Sequence, residues 1–216
     1  MFTGIIEAVG HIESLKQADE SLLLQINTGK LDLSDVHQGN SIAVNGVCLT
    51  AVRVLSSGFV ADVSRETLAK TSFAILKQGS AVNLEKAMVA NGRFGGHMVS
   101  GHVDGIGEVT ERRNRDRFVE FGIKPPKDLL KYIAAKGSIC VDGVSLTVNT
   151  IKDSVFSLTI VPHTLQETII GDYQVGRKVN LEVDLVARYL ERLMRIDDGS
   201  PEIINKDLLT RSGFTK

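Results

Sequence analysis

The chain has 216 residues, 43% of them hydrophobic, and its 25 basic residues nearly balance 26 acidic ones for a net charge of −1. That is enough apolar material for two cores, and the interspersed charges exclude the basic footprint that nucleic acid or an anionic membrane surface requires. The two cysteines, Cys48 and Cys140, form neither a disulfide framework nor a zinc pattern, because no Cys or His stands at ligand spacing from either.

No run approaches the roughly 18 consecutive apolar residues of a membrane helix, and the N-terminus lacks a charged start followed by an apolar stretch. A soluble chain of a reducing, cytoplasmic compartment is expected. Residues 1–12 open it as a β-branched run punctuated by Gly4 and Gly10. Further short strands are predicted at 22–26, 41–44, 48–54, 59–63 and 81–84, with turn residues Asn45-Gly46 and Ser56-Ser57-Gly58 between them. Ser64 is placed to N-cap one short helix, with Leu68, Thr71 and Ile75 at helical spacing.

Residues 90–97, Ala-Asn-Gly-Arg-Phe-Gly-Gly-His, follow as a glycine-rich joint. A phosphate loop would need a strand-to-helix setting and a following Lys-Ser/Thr, so the segment reads as a linker. Strands are then predicted near 98–109, 117–123, 138–141, 145–151, 155–161 and 178–183. The basic cluster from Arg112 to Arg117 falls at the hairpin tip between the first two. Lys124-Pro125-Pro126-Lys127 imposes an extended corner before a helical turn over 128–135. Pro162 begins a second short helix, at a position where its missing N–H costs nothing.

This second series copies the first. Asn45-Gly46-Val47-Cys48-Leu49-Thr50 returns as Asp142-Gly143-Val144-Ser145-Leu146-Thr147, so that Thr50 and Thr147 stand 97 positions apart. The same offset pairs Gly4 with Gly101, Phe59 with Phe156, Thr67-Leu68 with Thr164-Leu165, and Val82-Asn83-Leu84-Glu85 with Val179-Asn180-Leu181-Glu182. Solenoid units run roughly 20–50 residues and need several copies. A period this long instead indicates two domains of one fold: tandem, six-stranded Greek-key-type β-barrels in an all-β chain, with closure removing exposed edges. The expected boundaries are 1–97, 98–185 and a helical tail, 186–216. In the tail Val186, Tyr189, Leu190, Leu193 and Met194 make an apolar stripe ending at Gly199-Ser200-Pro201. From pattern alone, that stripe covers its own barrel or meets a partner subunit.

The copies agree in scaffold and differ in reactive groups: Cys48 faces Ser145, Ile5 faces His102, and Arg65-Glu66 faces Pro162-His163. Two readings fit the residues, drift between copies or a duplicated binding scaffold whose halves handle similar ligands in different roles.

Four stretches in this order, Met1-Phe2-Thr3-Gly4-Ile5, Asn45-Gly46-Val47-Cys48-Leu49-Thr50, Ser100-Gly101-His102-Val103 and Asp142-Gly143-Val144-Ser145-Leu146-Thr147, closely resemble the riboflavin synthase family of lumazine-binding-repeat proteins. Gly95-Gly96-His97 and the paired segments at 66–68 and 163–165 fit as well. The resemblance implies a transferase of riboflavin biosynthesis. Two 6,7-dimethyl-8-ribityllumazine molecules exchange a four-carbon unit, one becoming riboflavin and the other 5-amino-6-(ribitylamino)uracil. It further implies no cofactor and no metal, a homotrimer held by C-terminal helices, an active site between barrels of different subunits, and in some relatives a surrounding lumazine synthase shell.

Carried over position by position, the resemblance assigns to a first pocket Gly4, Ile5, Ile6, Cys48, Leu49, Thr50, Asp62, Val63, Ser64, Arg65, Glu66 and Thr67. To a second it assigns Gly101, His102, Val103, Lys136, Ser145, Leu146, Thr147, Thr159, Ile160, Val161, Pro162, His163 and Thr164. A flat heterocycle needs backbone donors and acceptors with apolar walls, and a ribityl chain needs hydroxyl and carboxylate partners, which this set contains. Cys48, His102, Ser145 and Thr147 are the expected catalytic residues. His102 with Ser145 is expected to handle protons, and Cys48 to act as nucleophile or proton relay. His163 stands where many relatives have Glu, and Val47 where some have Cys. The competing implication is a non-catalytic lumazine- or flavin-carrying optical protein of the same superfamily.

Overall fold

Alternating apolar residues drive both halves into short strands whose inward sides make two separate cores. In the computed structural model, which describes residues 1–18, 21–196 and 210, the first half contains β1 (Ala8–Ala18), β2 (Ser21–Asn27), β3 (Ser41–Val44), β4 (Val47–Leu55), β5 (Gly58–Ser64) and β6 (Ala81–Lys86). All neighbours are antiparallel, and the ring β1-β2-β5-β4-β3-β6 closes on itself. Crossovers from β2 to β3 and from β5 to β6 give it Greek-key connectivity. Leu24, Ile26, Ile42, Phe59, Phe73 and Leu84 fill its interior.

The second half contains β7 (Gly105–Arg115), β8 (Phe118–Lys124), β9 (Ser138–Val141), β10 (Val144–Thr147), β11 (Thr150–Lys152), β12 (Val155–Ile160) and β13 (Lys178–Val183). Its ladder runs β10-β9-β13-β7-β8-β12-β11, with the ends not joined as a regular sheet. The single strand expected at 145–151 is therefore two. The break falls at Val148 and Asn149, equivalent to Ala51 and Val52, where the register of β4 on β5 shifts between Ala51 and Arg53. The bulge of the first half has become a gap in the second. Single hydrogen bonds still bridge it, Val148 N to Gly137 O (2.9 Å) and Asn149 N to Ser157 O (2.8 Å). Phe121, Phe156, Leu158, Leu181 and Tyr173 fill this core.

Local chemistry sets the helices. Ser64 caps α1 (Arg65–Lys70) by accepting from Thr67 N, and Pro162 opens α2 (Pro162–Glu167). The helix expected to run through Ile75 stops at Thr71, which is extended and whose hydroxyl caps a separate 3-10 turn over Ser72–Ile75. Two further differences are local. The opening run does not form one strand, because Gly4 (φ +76°) turns residues 1–6 away before β1 begins. The turn expected over 128–135 shrinks to Leu130–Tyr132.

Met1–Leu185 forms one compact unit containing both barrels, and a second begins at Val186. α3 (Leu185–Ile196) carries Val186, Tyr189, Leu190, Leu193 and Met194, all exposed. The stop expected at 199–201 lies outside the described residues.

An approximate two-fold relation joins the barrels. Buried Asn83 of β6 donates from Nδ2 to Asp142 O, and its equivalent Asn180 of β13 donates to Asn45 O, both at 2.8 Å. Their Oδ1 atoms accept from Ile169 N (2.9 Å) and Ser72 N (2.7 Å), again equivalent positions. Phe2 and Val99 exchange backbone hydrogen bonds across the same relation. Gly46 and Gly143 meet on it, and a Cβ on either would stand 2.7 or 2.8 Å from the other's amide nitrogen. Removing one asparagine would orphan buried backbone groups at about 1–3 kcal/mol each, so these repeated residues weld the halves into one body.

Candidate active site

In each barrel the expected site residues fall on one strand of a hairpin, the end of a second strand and the short helix after it, which together make its candidate mouth. At the first, Cys48 to Thr50 of β4 lie beside the end of β5 and the start of α1. Thr50, Asp62, Ser64, Arg65 and Glu66 are exposed, while Leu49 and Val63 point into the core. At the second, Thr147, Thr159 and His163 are exposed, Ser145, Leu146, Pro162 and Thr164 are half-buried, and Ile160 is core. Lys136 sits at the edge of this mouth with φ +67°, its amide donating to Val148 O at 2.7 Å. The hydroxyl-rich positions and the apolar positions thus alternate along each strand, as a pleated wall requires.

The segments that lead into each repeat are exchanged relative to expectation. Gly4 O accepts from Ser145 N at 2.8 Å, and Gly101 O accepts from Cys48 N at 2.8 Å. Ile6 packs on the second barrel's core and Val103 on the first's. Gly4–Ile6 therefore border the second mouth, and Gly101–Val103 the first, the reverse of the grouping drawn from sequence. The 97-residue offset assigns each leader to the repeat that follows it, whereas the backbone hydrogen bonds cross to the other barrel.

The exchange also separates the expected proton-handling pair. His102 is exposed at the first mouth beside Cys48, while Ser145 is at the second. There Ser145 Oγ meets His97 Nδ1 at 2.7 Å. His97 is 8% exposed and its Nε2 is buried without a hydrogen-bond partner among the described residues. Burial holds the imidazolium form down, only partly offset by the charge of Asp184, which favours the neutral ring, the form that can accept a proton. The segment read as a linker carries this histidine, and the position 97 residues further on is Met194, beyond the second repeat, so the duplication gave no signal for it. The Gly95-Gly96 pair was the available hint: a Cβ at Gly96 would stand 2.1 Å from Thr3 O.

Beneath the second mouth, Asp142 is fully buried, bonded to the Tyr173 hydroxyl and to Asn180 N (2.7 Å). Burial raises its pKa from 3.8 to about 6 despite these donors. Neutral Asp142 therefore stabilises the fold fully below about pH 3.8, and this contribution fades as pH rises through about 6, at a cost of about 3 kcal/mol. Asp142→Asn, which installs the residue of the first repeat, should gain stability relative to the parent between pH 4 and pH 7. Urea unfolding across that range checks it, and parallel pH profiles would show that Asp142 does not titrate there.

A cleft of about 590 Å³ lies along β8, β11 and β12, lined by Glu111, Arg113, Glu120 and Lys152 among others. Of the expected site residues it takes only Thr159, so it flanks the second mouth and does not constitute it. Among the described residues, no group of three or more His, Cys, Asp or Glu could hold a metal ion, and no helix is long and apolar enough to cross a membrane.

A family model described as lumazine binding domain matches the chain twice, at residues 3–87 and 100–184. The chain belongs to the riboflavin synthase family. It is 52% identical to a riboflavin synthase of Photobacterium phosphoreum, covering 99% of both chains, and 45% identical to that of Bacillus subtilis over 99% of this chain and 100% of the relative. Among solved structures, LumP bound to riboflavin matches with a TM-score of 0.78 at 29% identity, and LumP bound to 6,7-dimethyl-8-(1'-D-ribityl) lumazine with 0.77 at 28%. Each match covers 85% of this chain and 99% of LumP. The paired matches of the family model fall on the two barrels and exclude only the linker, the first residues and the tail.

Proposed function

We propose that this chain is a riboflavin synthase, dismutating two 6,7-dimethyl-8-ribityllumazine molecules into riboflavin and 5-amino-6-(ribitylamino)uracil. The observation that carries the reading is the pairing of two equivalent mouths with different reactive groups, Cys48 and His102 at one, Ser145 and His97 at the other. Donor and acceptor are the same compound, so one duplicated scaffold can bind both, and differing side chains assign the roles. At the second mouth Ser145 and His97 receive the proton lost from the C7 methyl of one lumazine, with Thr147 and Thr159 holding its ribityl chain. At the first, Cys48 adds to or relays a proton at the other lumazine, beside His102.

An active site formed by the first mouth of one subunit and the second mouth of another brings donor and acceptor face to face. A cytoplasmic homotrimer joined through residues 186–216 provides this arrangement, with 1–97 and 98–185 as the two binding domains and lumazine synthase as a candidate host shell. The likeness to LumP favours a carrier as the second reading. The presence of Cys48, His102, Ser145 and Thr147 together favours the enzyme.

The reaction conserves atoms and oxidation level over the two substrates, and the lumazine ring itself delocalises the carbanion. Riboflavin formation should therefore survive exhaustive dialysis and a chelator with its rate unchanged. A rate restored only by a metal or a nicotinamide would refute this chemistry.

A further inference from the structure

We propose that Glu85 and Glu182 are positioning residues that act crosswise, Glu85 of the first barrel setting the second mouth and Glu182 of the second barrel setting the first. Each is 4% exposed, at equivalent positions in β6 and β13. Glu85 Oε1 accepts from Thr3 N (2.7 Å) and Thr3 Oγ1 (2.8 Å), and Oε2 accepts from Gly4 N (3.0 Å). Glu182 repeats the clasp with Ser100 N (2.6 Å), Ser100 Oγ (2.7 Å) and Gly101 N (3.0 Å).

The clasped glycines then reach across the two-fold relation. Gly4 O holds Ser145 N and Gly101 O holds Cys48 N, both at 2.8 Å. No side chain separates leader from reactive residue: a Cβ on Gly4 would fall 2.6 Å from that of Ser145, and one on Gly101 2.5 Å from that of Cys48. Neither carboxylate has a hydrogen bond to Ser145 or Cys48 in this arrangement, so each acts through its leader segment. Charge-assisted bonds of this kind are among the stronger ones available to a buried acceptor. The place of Ser145 and Cys48 at their mouths is thus set by a carboxylate of the opposite barrel. The consequence for catalysis rests on the functional reading above, while the test needs no turnover.

Glu85→Gln and Glu182→Gln in the full chain keep side-chain volume and one acceptor, but set an amide NH2 against the glycine N–H and open that arm of the clasp. Two readouts separate the mouths: the rate at which iodoacetamide alkylates Cys48, and the NMR titration of the His97 ring. Glu182→Gln should change the Cys48 rate about tenfold and leave the His97 titration in place. Glu85→Gln should move the His97 titration by about half a pH unit and leave the Cys48 rate unchanged. The clasps are matched donor for donor, so a general loss of stability would move both readouts in both variants. Such a result, an effect on the variant's own barrel, or no effect would each overturn the proposal. Should either glutamine variant fail to fold, Thr3→Val and Ser100→Ala remove one donor apiece and should give the same crossed pattern at smaller amplitude. A crossed pattern in a chain that makes no riboflavin would sink the functional reading and leave the clasps standing.

Discussion

Ser145→Ala should lower kcat by about a hundredfold to a thousandfold while changing lumazine affinity by less than about threefold. The serine hydroxyl is 2.7 Å from a buried histidine whose charged form burial disfavours, while the groups expected to hold the ribityl chain lie elsewhere in the mouth. The lost contribution therefore falls on proton transfer. His97→Gln should give a loss of the same order, and the double variant should cost little more than either alone, because the two side chains act as a unit. His102→Gln, at the other mouth, should add its own loss to that of Ser145→Ala. Steady-state kinetics with ligand titration of each variant decide this. Equal losses in affinity and rate would mark Ser145 as a packing residue.

Removing residues 186–216 should dissociate the proposed trimer and abolish nearly all turnover while each mouth still binds ligand. The first turns of α3 set Val186, Tyr189, Leu190, Leu193 and Met194 on one stripe, every one of them exposed. Burying such side chains contributes about 1.5–3 kcal/mol each, enough for association after ordering costs. A stripe of this kind left open on a monomer is an aggregation hazard. Sedimentation velocity together with ligand titration of the truncated chain tests the claim. A truncated trimer, or an active monomer, would refute it.

The duplication and most strands were legible because both rest on local pattern. Residues 41–44, 138–141 and 178–183 were placed at their observed bounds, and Pro162 marked its helix start. What escaped notice depends on contacts across the two-fold relation. Gly4 and Gly101 were read with the repeats they precede, since nothing in a one-dimensional offset says that a leader bonds to the other barrel. The position 97 residues after His97 is Met194, outside the second repeat, so comparing the copies could not single it out, and its contact is with Ser145. The split between β10 and β11 turns on one bulge becoming a gap at Asn149, a difference too small to alter strand periodicity. Val82-Asn83-Leu84-Glu85 and its copy keep identical polar residues at buried strand positions, while the reactive positions diverge. Asn83 and Asn180 weld the barrels, and Glu85 and Glu182 clasp the leaders, which physically explains why these polar positions match.

On the proposed reading, two mouths take two copies of one compound in opposite roles. This is tested most directly by mixing the purified chain with 6,7-dimethyl-8-ribityllumazine alone and counting products by chromatography as the lumazine is consumed. One riboflavin and one 5-amino-6-(ribitylamino)uracil should form for every two lumazines lost. Lumazine that is bound but recovered unchanged would contradict it, and would make the chain a carrier.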